Sequence, residues 1–531
     1  MKTAEYFDIV IIGAGFSGLY AIHRFRDYDV VCFEAGAGVG GTWYWNRYPG
    51  ARVDIPSMEY SYSFNEDLQQ EWSWPEIFSA QPELERYVNH VADRFELRDR
   101  IRLSNAVKHM RFDEATDRWH VHTAKGDHVI CKYVVAATGA LSVPNAPPWP
   151  GREKFKGEIL HTAAWPEEGI DLTGKRVGQI GTGSTGIQLA PILAEQAEHL
   201  HIFQRTPAFS MPSGNRPMDL KHEREWKENY TERRQKMMQT PGVSLLERSS
   251  VACSEYTESQ RQELLEEAWT SQSAFQLLLT FSDIMTNRET NEVVADFVRQ
   301  KIRTIVKDPA TADLLCPKDY PIGAKRLCID NGYFQTFNRP NVTLVDVKSV
   351  PIVEFTENGL RTAEAEYELD VIVTATGFDA ITGAMTQIDI EGTGGRKLMD
   401  KWADGPTAWL GLMVAGFPNL MMIHGPLTPG AQAQMLMVGE WQVNLVGDII
   451  DSLERGHYSR IDTSEEAEGW WAEEVNTLSH NTLHRFANSW YNAKNIEGKR
   501  GGFMIYVGGF PRFARLNYEA IADGFRGFIR S

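Results

Sequence analysis

The stretch from Asp8 to Glu34, DIVIIGAGFSGLYAIHRFRDYDVVCFE, constrains this chain most. Ile9 to Ile12 is an apolar run that predicts a buried parallel strand. Gly13, Gly15 and Gly18 follow at once, then a helix from about Phe16 to Phe25, then a second strand from Asp29 to Phe33 that ends at Glu34. Strand, glycine turn, helix, strand and acid together form a dinucleotide-binding unit. Gly13 makes the tight turn, Gly15 lets a pyrophosphate approach the backbone, and Gly18 lets helix and strand pack closely. The start of the helix offers free N–H groups to phosphate. Glu34, 19 residues after Gly15, can accept both hydroxyls of an adenosine ribose and would repel a 2′-phosphate. This first site therefore wants FAD or NAD and not NADP.

The chain has 531 residues, room for several domains and a large core. Its formal charge of −17 and the lack of any lysine- or arginine-rich run argue against nucleic acid and anionic membranes as partners. No stretch has the apolar length of a membrane span. Lys2 precedes only a short strand that runs into Gly13, without the cleavage region of a signal peptide, so the expected location is cytoplasmic, with no membrane anchor. Cys32, Cys131, Cys253, Cys316 and Cys328 form no CxxC pair and read as buried small hydrophobes. His222-Glu223 begins an HExxH-like string, but Trp226 stands where the second histidine is required, and no metal site is expected.

Residues Gly36 to Asp54, GAGVGGTWYWNRYPGARVD, lack helical or strand periodicity. A long ordered loop of glycines and aromatics leaving directly from Glu34 should lie against the first cofactor, with Trp43, Trp45 and Tyr48 as its apolar wall. Val134 to Gly139, VVAATG, is a strand entering a small-residue turn, and Pro144 to Pro150 then breaks the chain. Gly151 to Pro166 reads as a linker with little secondary structure. A second full fingerprint follows: strand Arg176–Ile180, Gly181, Gly183 and Gly186 with Ser184 and Thr185 inside the turn, helix Ile187–Gln196, and a strand ending in Gln204, Arg205 and Thr206. Arg205 stands 22 residues after Gly183, where the first unit has its acid, and an arginine there favours the 2′-phosphate of NADP. An acid-ended and an arginine-ended site in one chain imply FAD and NADPH. That is the layout of a flavoenzyme reduced directly by a nicotinamide, without a separate reductase.

Leu220 to Val306 turns helical, most clearly over Glu289–Val306, and Phe275, Phe281 and Met285 are expected in the core of this insertion. Cys316 to Arg339 is an aperiodic loop rich in proline, aromatics and charge. Asp370 to Gly377, DVIVTATG, repeats the VVAATG pattern and closes the second nucleotide unit. Asn419 to Gly430 should be a strand and a proline–glycine loop, with helices over Ala431–Asp451 and Glu465–Phe486 and a short strand at Phe503–Val507. The fold class is α/β: two Rossmann-like dinucleotide-binding domains with a helical insertion in the NADP domain. The expected divisions are 1–143 and 381–531 for FAD, 144–208 and 324–380 for NADP, and 209–323 for the insertion, with a mobile loop near 489–502.

Two strings carry a family resemblance. Phe155, Gly157, His161, Trp165 and Pro166, in FKGEILHTAAWP, match FxGxxxHxxxWP at every fixed position. Gly40, Gly41, Trp43, Tyr48, Pro49, Gly50 and Asp54 match GGxWxxxxYPGxxxD. The chain resembles the Baeyer–Villiger monooxygenases among the class B flavoprotein monooxygenases, such as cyclohexanone and phenylacetone monooxygenases. The resemblance implies that NADPH reduces FAD, that dioxygen gives a flavin peroxide, and that the peroxide attacks a ketone to give an ester or lactone. It implies that Arg326 is the catalytic cation, with Lys325 its neighbour and Asp54 the acid beside it. Gly41, Thr42 and Trp43 would then meet FAD, and Gln204, Arg205 and Thr206 the NADP phosphate. Trp490 would reach the cofactor from the mobile loop, and His161 would be conformational. Leu427, Thr428, Pro429 and Gly430 would shape the ketone pocket, with Gly430 in place of a bulky aromatic. Three other readings remain: a flavin-dependent heteroatom monooxygenase, a disulfide reductase, which Cys32 without a nearby partner disfavours, and a flavoprotein that only binds.

Overall fold

The computed structural model describes residues 4–271, 275–496, 499 and 502–531. The chain opens with β1 (Glu5–Ile12), α1 (Phe16–Arg24) and β2 (Val30–Phe33), and Thr42–Trp45 forms a single helical turn, α2. The strands β3 (Ile101–Arg102), β4 (Val107–Asp113), β5 (Arg118–Thr123) and β6 (His128–Ala136) complete the first run. Next come β7 (Glu158–His161), β8 (Arg176–Ile180), α3 (Ser184–Gln196) and β9 (His199–Gln204). The insertion carries α4 (Tyr230–Met238) and α5 (Arg288–Ile305). The chain then adds β10 (Val342–Asp346), β11 (Val371–Thr374), β12 (Asp389–Glu391), β13 (Leu420–Met422) and α6 (Met435–Arg455).

Two Rossmann-like sheets result. The first has 8 strands in the order β12-β4-β5-β6-β1-β2-β3, with β13 also beside β6. The second has 5 in the order β10-β9-β8-β11-β7, all parallel. β1 lies between β2 and β6, with Ile12 level with both Phe33 and Ala136. Its apolar run has no polar alternation because both faces are covered. Ile9 and Ile11 enter the main core with α1, while Val10 and Ile12 enter a second core with Trp119, Phe417 and Leu420. Four residues of one strand thus bind two layers.

Several elements differ from the sequence expectation. The linker at Gly151–Pro166 contains β7, an edge strand paired along its length with β11. Its four residues are too few to show a period. α6 starts four residues later than expected, because Gln434 caps it by accepting from the Met437 N–H. The helix from Glu465 ends at His480, and a separate 3-10 turn covers Leu483–Phe486. Phe503–Val507 makes one bridge, Ile505 to Thr428, instead of a strand. Gly36–Asp54 is a loop as expected, apart from α2. All five cysteines are free and buried, and no helix among the described residues is long and apolar enough to cross a membrane.

The insertion is tied to the first sheet's surroundings by a buried charge. Arg234 on α4 donates to the carbonyls of Met58, Glu59 and Ser61. Glu440 on α6 accepts from the N–H and hydroxyl of Ser63 in the same strap. Both side chains are buried.

Candidate active site

A cavity of about 360 Å³ opens at the carboxyl ends of β1 and β6, where an open parallel sheet binds its ligand. Gly13, Gly15 and Gly41 line it. Gly13 has φ +100°, and a side chain there would press on the Ala137 carbonyl. A Cβ on Gly41, at φ +55°, would stand 2.9 Å from Gly15 Cα, so the first fingerprint and the signature loop approach backbone to backbone. Gly18 has no room for any side chain against Gly13. Glu34, 5% exposed, accepts from the Ala14 N–H at 2.7 Å and the Gly36 N–H at 2.7 Å. A carboxylate oxygen has a second lone pair, so each can still accept a ribose hydroxyl. Thr42, Trp43 and Trp45 lie on the cavity wall, as does Tyr60, to which the Trp43 indole donates at 3.1 Å. The acid, the backbone cradle and the aromatic wall fit FAD.

Tyr48 does something other than walling this cavity. Its hydroxyl donates to Gln188 Oε1 on α3 at 2.8 Å, and Gln188 donates to the Arg52 carbonyl at 3.1 Å. Gly50, at φ +84°, leaves no space for a Cβ, which would stand 2.7 Å from the Gln188 carbonyl. The YPG part of the signature is thus the strap from the first glycine turn to the helix of the second.

Asp54 ends that strap and meets Arg326. The Arg326 Nε and Nη2 both donate to Asp54 Oδ2, at 3.0 and 2.8 Å, and Nη1 donates to the Ala431 carbonyl. The Phe275 ring lies 4.3 Å from the guanidinium carbon. Arg326 keeps 22% of its side chain exposed. Burial, the largest single influence, works against its charge, but Asp54 together with Tyr491 and Cys328 outweighs it and lifts its pKa above the ordinary value. Asp54 also acts on two tyrosines of its own unit. Burial first, and then its negative charge, push Tyr60 and Tyr48 up to about 12 despite hydrogen bonds that oppose the shift. Tyr491 is pushed up to about 12 by burial, against the pull of Arg326. Asp54 thus acts on Tyr60 in the wall of the first cavity and on Tyr48, which is bonded to Gln188 of α3.

At that second site Gly181, at φ +110°, packs on the Ala375 backbone, Gly186 packs on Gly181, and nothing lies within 4 Å of a Cβ on Gly183. The open side of Gly183 suits a pyrophosphate at the start of α3, where Ser184 and Thr185 supply the first turn. Gln204 is buried, donates to the Leu314 carbonyl at 2.8 Å, and leaves its Oε1 without a partner. The Thr182 hydroxyl donates to the Thr206 carbonyl at 3.0 Å. Lys325 belongs to this side and not to the Asp54 pair. Its Nζ is 4.6 Å from the Tyr320 ring centre, and burial, then the charge of nearby Arg205, lowers its pKa. An open glycine, an unanswered amide oxygen and two converging cations fit NADP.

The FxGxxxHxxxWP string runs through β7 and buries an aromatic residue at each end. Phe155 packs into a cluster with Ile180, Phe203 and Phe355, and its ring would stand 2.5 Å from a Cβ on Gly157. His161 ends β7 with Nδ1 accepting from the Ala163 N–H at 3.0 Å, and burial lowers its pKa. Trp165 is buried in the main core. Leu427, Thr428, Pro429 and Gly430 are buried. The Leu427 N–H donates to the Met504 carbonyl at 2.8 Å, and the Tyr506 N–H donates to the Thr428 carbonyl at 2.8 Å. Trp490 packs beside Ala380, Ile381 and Tyr491. Of the loop expected at 489–502, residues 497, 498, 500 and 501 lie outside the described residues. Phe281 is core as expected; Phe275 and Met285 are half-buried and pack against that core, and Phe275 also covers Arg326. Tyr60, Gln188 and Ala431 were also missed. Nothing in sequence joins them to the site, and Ala431 acts only through its backbone.

With this geometry in hand, the chain can be compared with known proteins. Residues 7–238 match the family described as FMO-like, flavin-binding monooxygenase-like. Over 529 residues the chain is 39% identical to a Baeyer-Villiger monooxygenase of Pseudooceanicola batsensis, covering 99% of this chain and 96% of that protein. The chain belongs to the class B flavoprotein monooxygenases. Among these monooxygenases it is also 39% identical, over 536 residues, to the phenazine N-monooxygenase PhzNO1 of Lysobacter antibioticus, covering 99% of this chain and 97% of that one. The solved structure of OTEMO in complex with FAD and NADP superposes with a TM-score of 0.96 at 38% identity, covering 100% of both chains. This class B monooxygenase binds FAD and NADP(H).

Proposed function

We propose that the chain is a Baeyer–Villiger monooxygenase, using NADPH and O2 to convert a ketone to an ester or lactone. One observation carries this reading: Arg326 is held by Asp54 of the signature loop and by the Ala431 carbonyl. FAD, when bound, supplies acceptance of hydride from NADPH and activation of O2 for transfer of one oxygen atom. The residues of the chain supply position and charge. Oxygen insertion beside a carbonyl begins with addition to that carbonyl, and negative charge grows on its oxygen. A guanidinium already fixed in place stabilises that charge without reorganisation, which is differential stabilisation of the transition state. Asp54 holds two N–H groups of the fork, and Ala431 ties the third to the segment Leu427–Gly430, the proposed ketone pocket. Phe275 covers one face of the guanidinium and keeps water from it. Arg205 and Lys325 bind the 2′-phosphate of NADPH, with Gln204 and Thr206 beside them. Glu34 and the glycine backbones at Gly13, Gly15 and Gly41 hold FAD, and Gly181, Gly183, Gly186, Ser184 and Thr185 hold the NADPH pyrophosphate. Trp490 reaches toward the nicotinamide side. His161 fixes the turn after β7.

Heteroatom oxidation is the second reading, favoured by the similarity to the phenazine N-monooxygenase. One experiment separates the two. Holoenzyme is given NADPH, ¹⁸O₂ and either a cyclic ketone, a sulfide or an N-heteroaromatic, and the products are weighed by mass spectrometry. A lactone carrying one ¹⁸O is the expected product, and oxidation confined to sulfur or nitrogen would overturn the reading. Arg326→Ala should keep its flavin absorbance and lose lactone formation by about 10²–10³-fold, the usual cost of removing a preorganised charge donor.

A further inference from the structure

His424 lines the FAD cavity and has been given no task so far. It lies in the bend two residues after β13, and its backbone is left-handed, with φ +56°. A non-glycine residue turned that way is held by something, and here the His424 N–H donates to the buried side chain of Gln442 on α6 at 2.9 Å. The imidazole is 8% exposed, and its Nδ1 is sealed without a partner. The other nitrogen, Nε2, faces a different environment. A methyl group placed on Gly439 would stand 2.9 Å from His424 Nε2 and 2.7 Å from the Ser17 hydroxyl oxygen. Gly439, with no side chain, lets both polar atoms close on the same spot of α6 and form a polar notch there, and Ser17 also lines the cavity. Around them the wall is apolar: Ile423, Met435 and Leu436. Ser17 lies two residues past Gly15, so this polar notch stands beyond the backbone cradle for pyrophosphate. The part of FAD between its pyrophosphate and its ring is a chain of hydroxyl groups. Burial, only partly opposed by the Met435 carbonyl, lowers the imidazole pKa to about 4, so it stays neutral in working conditions and can exchange a hydrogen bond with a hydroxyl without bringing charge to the cavity.

We propose that His424 is a cofactor-binding residue, its imidazole hydrogen-bonding a ribityl hydroxyl of FAD in the notch shared with Ser17. The inference rests on FAD occupying this cavity and is independent of which substrate is oxidised. It predicts that His424 contributes far more to the holoenzyme than to the protein without FAD, where only the Met435 carbonyl answers its imidazole.

The test compares wild type, His424→Leu, which keeps bulk without polarity, and His424→Gln, which restores a polar reach. The FAD dissociation constant is read from flavin fluorescence on dilution of holoenzyme, and thermal midpoints are measured with and without FAD. His424→Leu should weaken FAD binding about tenfold, as for the loss of one hydrogen bond. Its midpoint without FAD should equal or exceed that of wild type, and His424→Gln should recover most of the affinity. A flavin analogue lacking ribityl hydroxyls should bind wild type and His424→Leu equally. Affinity within twofold of wild type in His424→Leu would overturn the proposal. So would an equal loss of thermal midpoint with and without FAD, which marks a purely structural residue. If wild-type protein held no FAD at all, the cofactor assignment itself would fall, a result distinct from either of these.

Discussion

Lys325 and Arg326 are neighbours in sequence but serve different sides of the molecule. Arg326 is turned to Asp54 and Lys325 to the vicinity of Arg205. Lys325 stands in a bend and Arg326 just after it, so the chain turns the two side chains to different neighbours. Lys325→Ala should therefore raise the KM for NADPH about tenfold with little change for NADH, as expected for one charge-assisted phosphate contact. At saturating NADPH it should still make product, unlike Arg326→Ala. Steady-state kinetics with both coenzymes checks this, and equal weakening of both would return Lys325 to the catalytic group. Glu440 gives a second residue-level prediction. Burial raises its pKa from 4.5 to about 7 in spite of the donors from Ser63 and the charge of Arg234. A raised carboxyl pKa means that the folded protein holds the proton more tightly than the unfolded chain. Its contribution to stability is present below about 4.5 and is lost as pH rises through about 7. Glu440→Gln removes that slope. The thermal midpoint of Glu440→Gln relative to wild type should rise steadily from about pH 5 to about pH 8, and a constant difference would show that Glu440 does not titrate there.

At the scale of elements, what could be read in the sequence was whatever the backbone imposes locally. The two fingerprints were legible because Gly13, Gly18, Gly181 and Gly186 each leave no room for a side chain, and a strand buried on both faces must be apolar throughout. The YPG string was legible as a loop, but its role as a strap to α3 was not, since Gln188 is an ordinary helical glutamine until Tyr48 meets it. β7 was hidden because only four residues form it and their partner lies more than two hundred positions away. Phe275 was read as core because an aromatic residue in a helical segment usually is. Gly430 shows why pocket size is hard to read from one position. It has φ +49°, and a Cβ there would stand 2.8 Å from Ile505 Cδ1. The space left by the missing side chain is already filled by Ile505. Gly430→Phe should therefore act on the docking of Ile505 before it acts on the ketone. It should lower the thermal midpoint by several degrees and reduce turnover for small and large ring ketones alike. A stable variant that rejects only large ketones would instead make Gly430 a size filter.

On the scale of the whole molecule, the two sheets are interleaved along the chain. β1 to β6 start the first sheet, β7 to β11 build the second, and β12 and β13 return to the first. β13 pairs Leu420 with Val134 across nearly three hundred intervening residues. Long-range parallel pairing of this kind closes late in folding. The cavity needs that closure, for Ile423, His424, Met435 and Leu436 form part of its wall. During synthesis, then, the ribosome has delivered the fingerprint and the acid long before the chain can keep its cofactor. The nascent protein must wait, with its nucleotide cradle complete and one wall missing, until about four-fifths of its length has emerged. Arrested chains ending before residue 419 should bind no FAD, whereas chains released after α6 should acquire it. Flavin fluorescence on stalled nascent chains would follow the transition, and cofactor capture by the first 150 residues alone would show that the late strand is dispensable. Loading of this enzyme is in that sense a checkpoint on translation: yellow colour certifies a chain made nearly to its end.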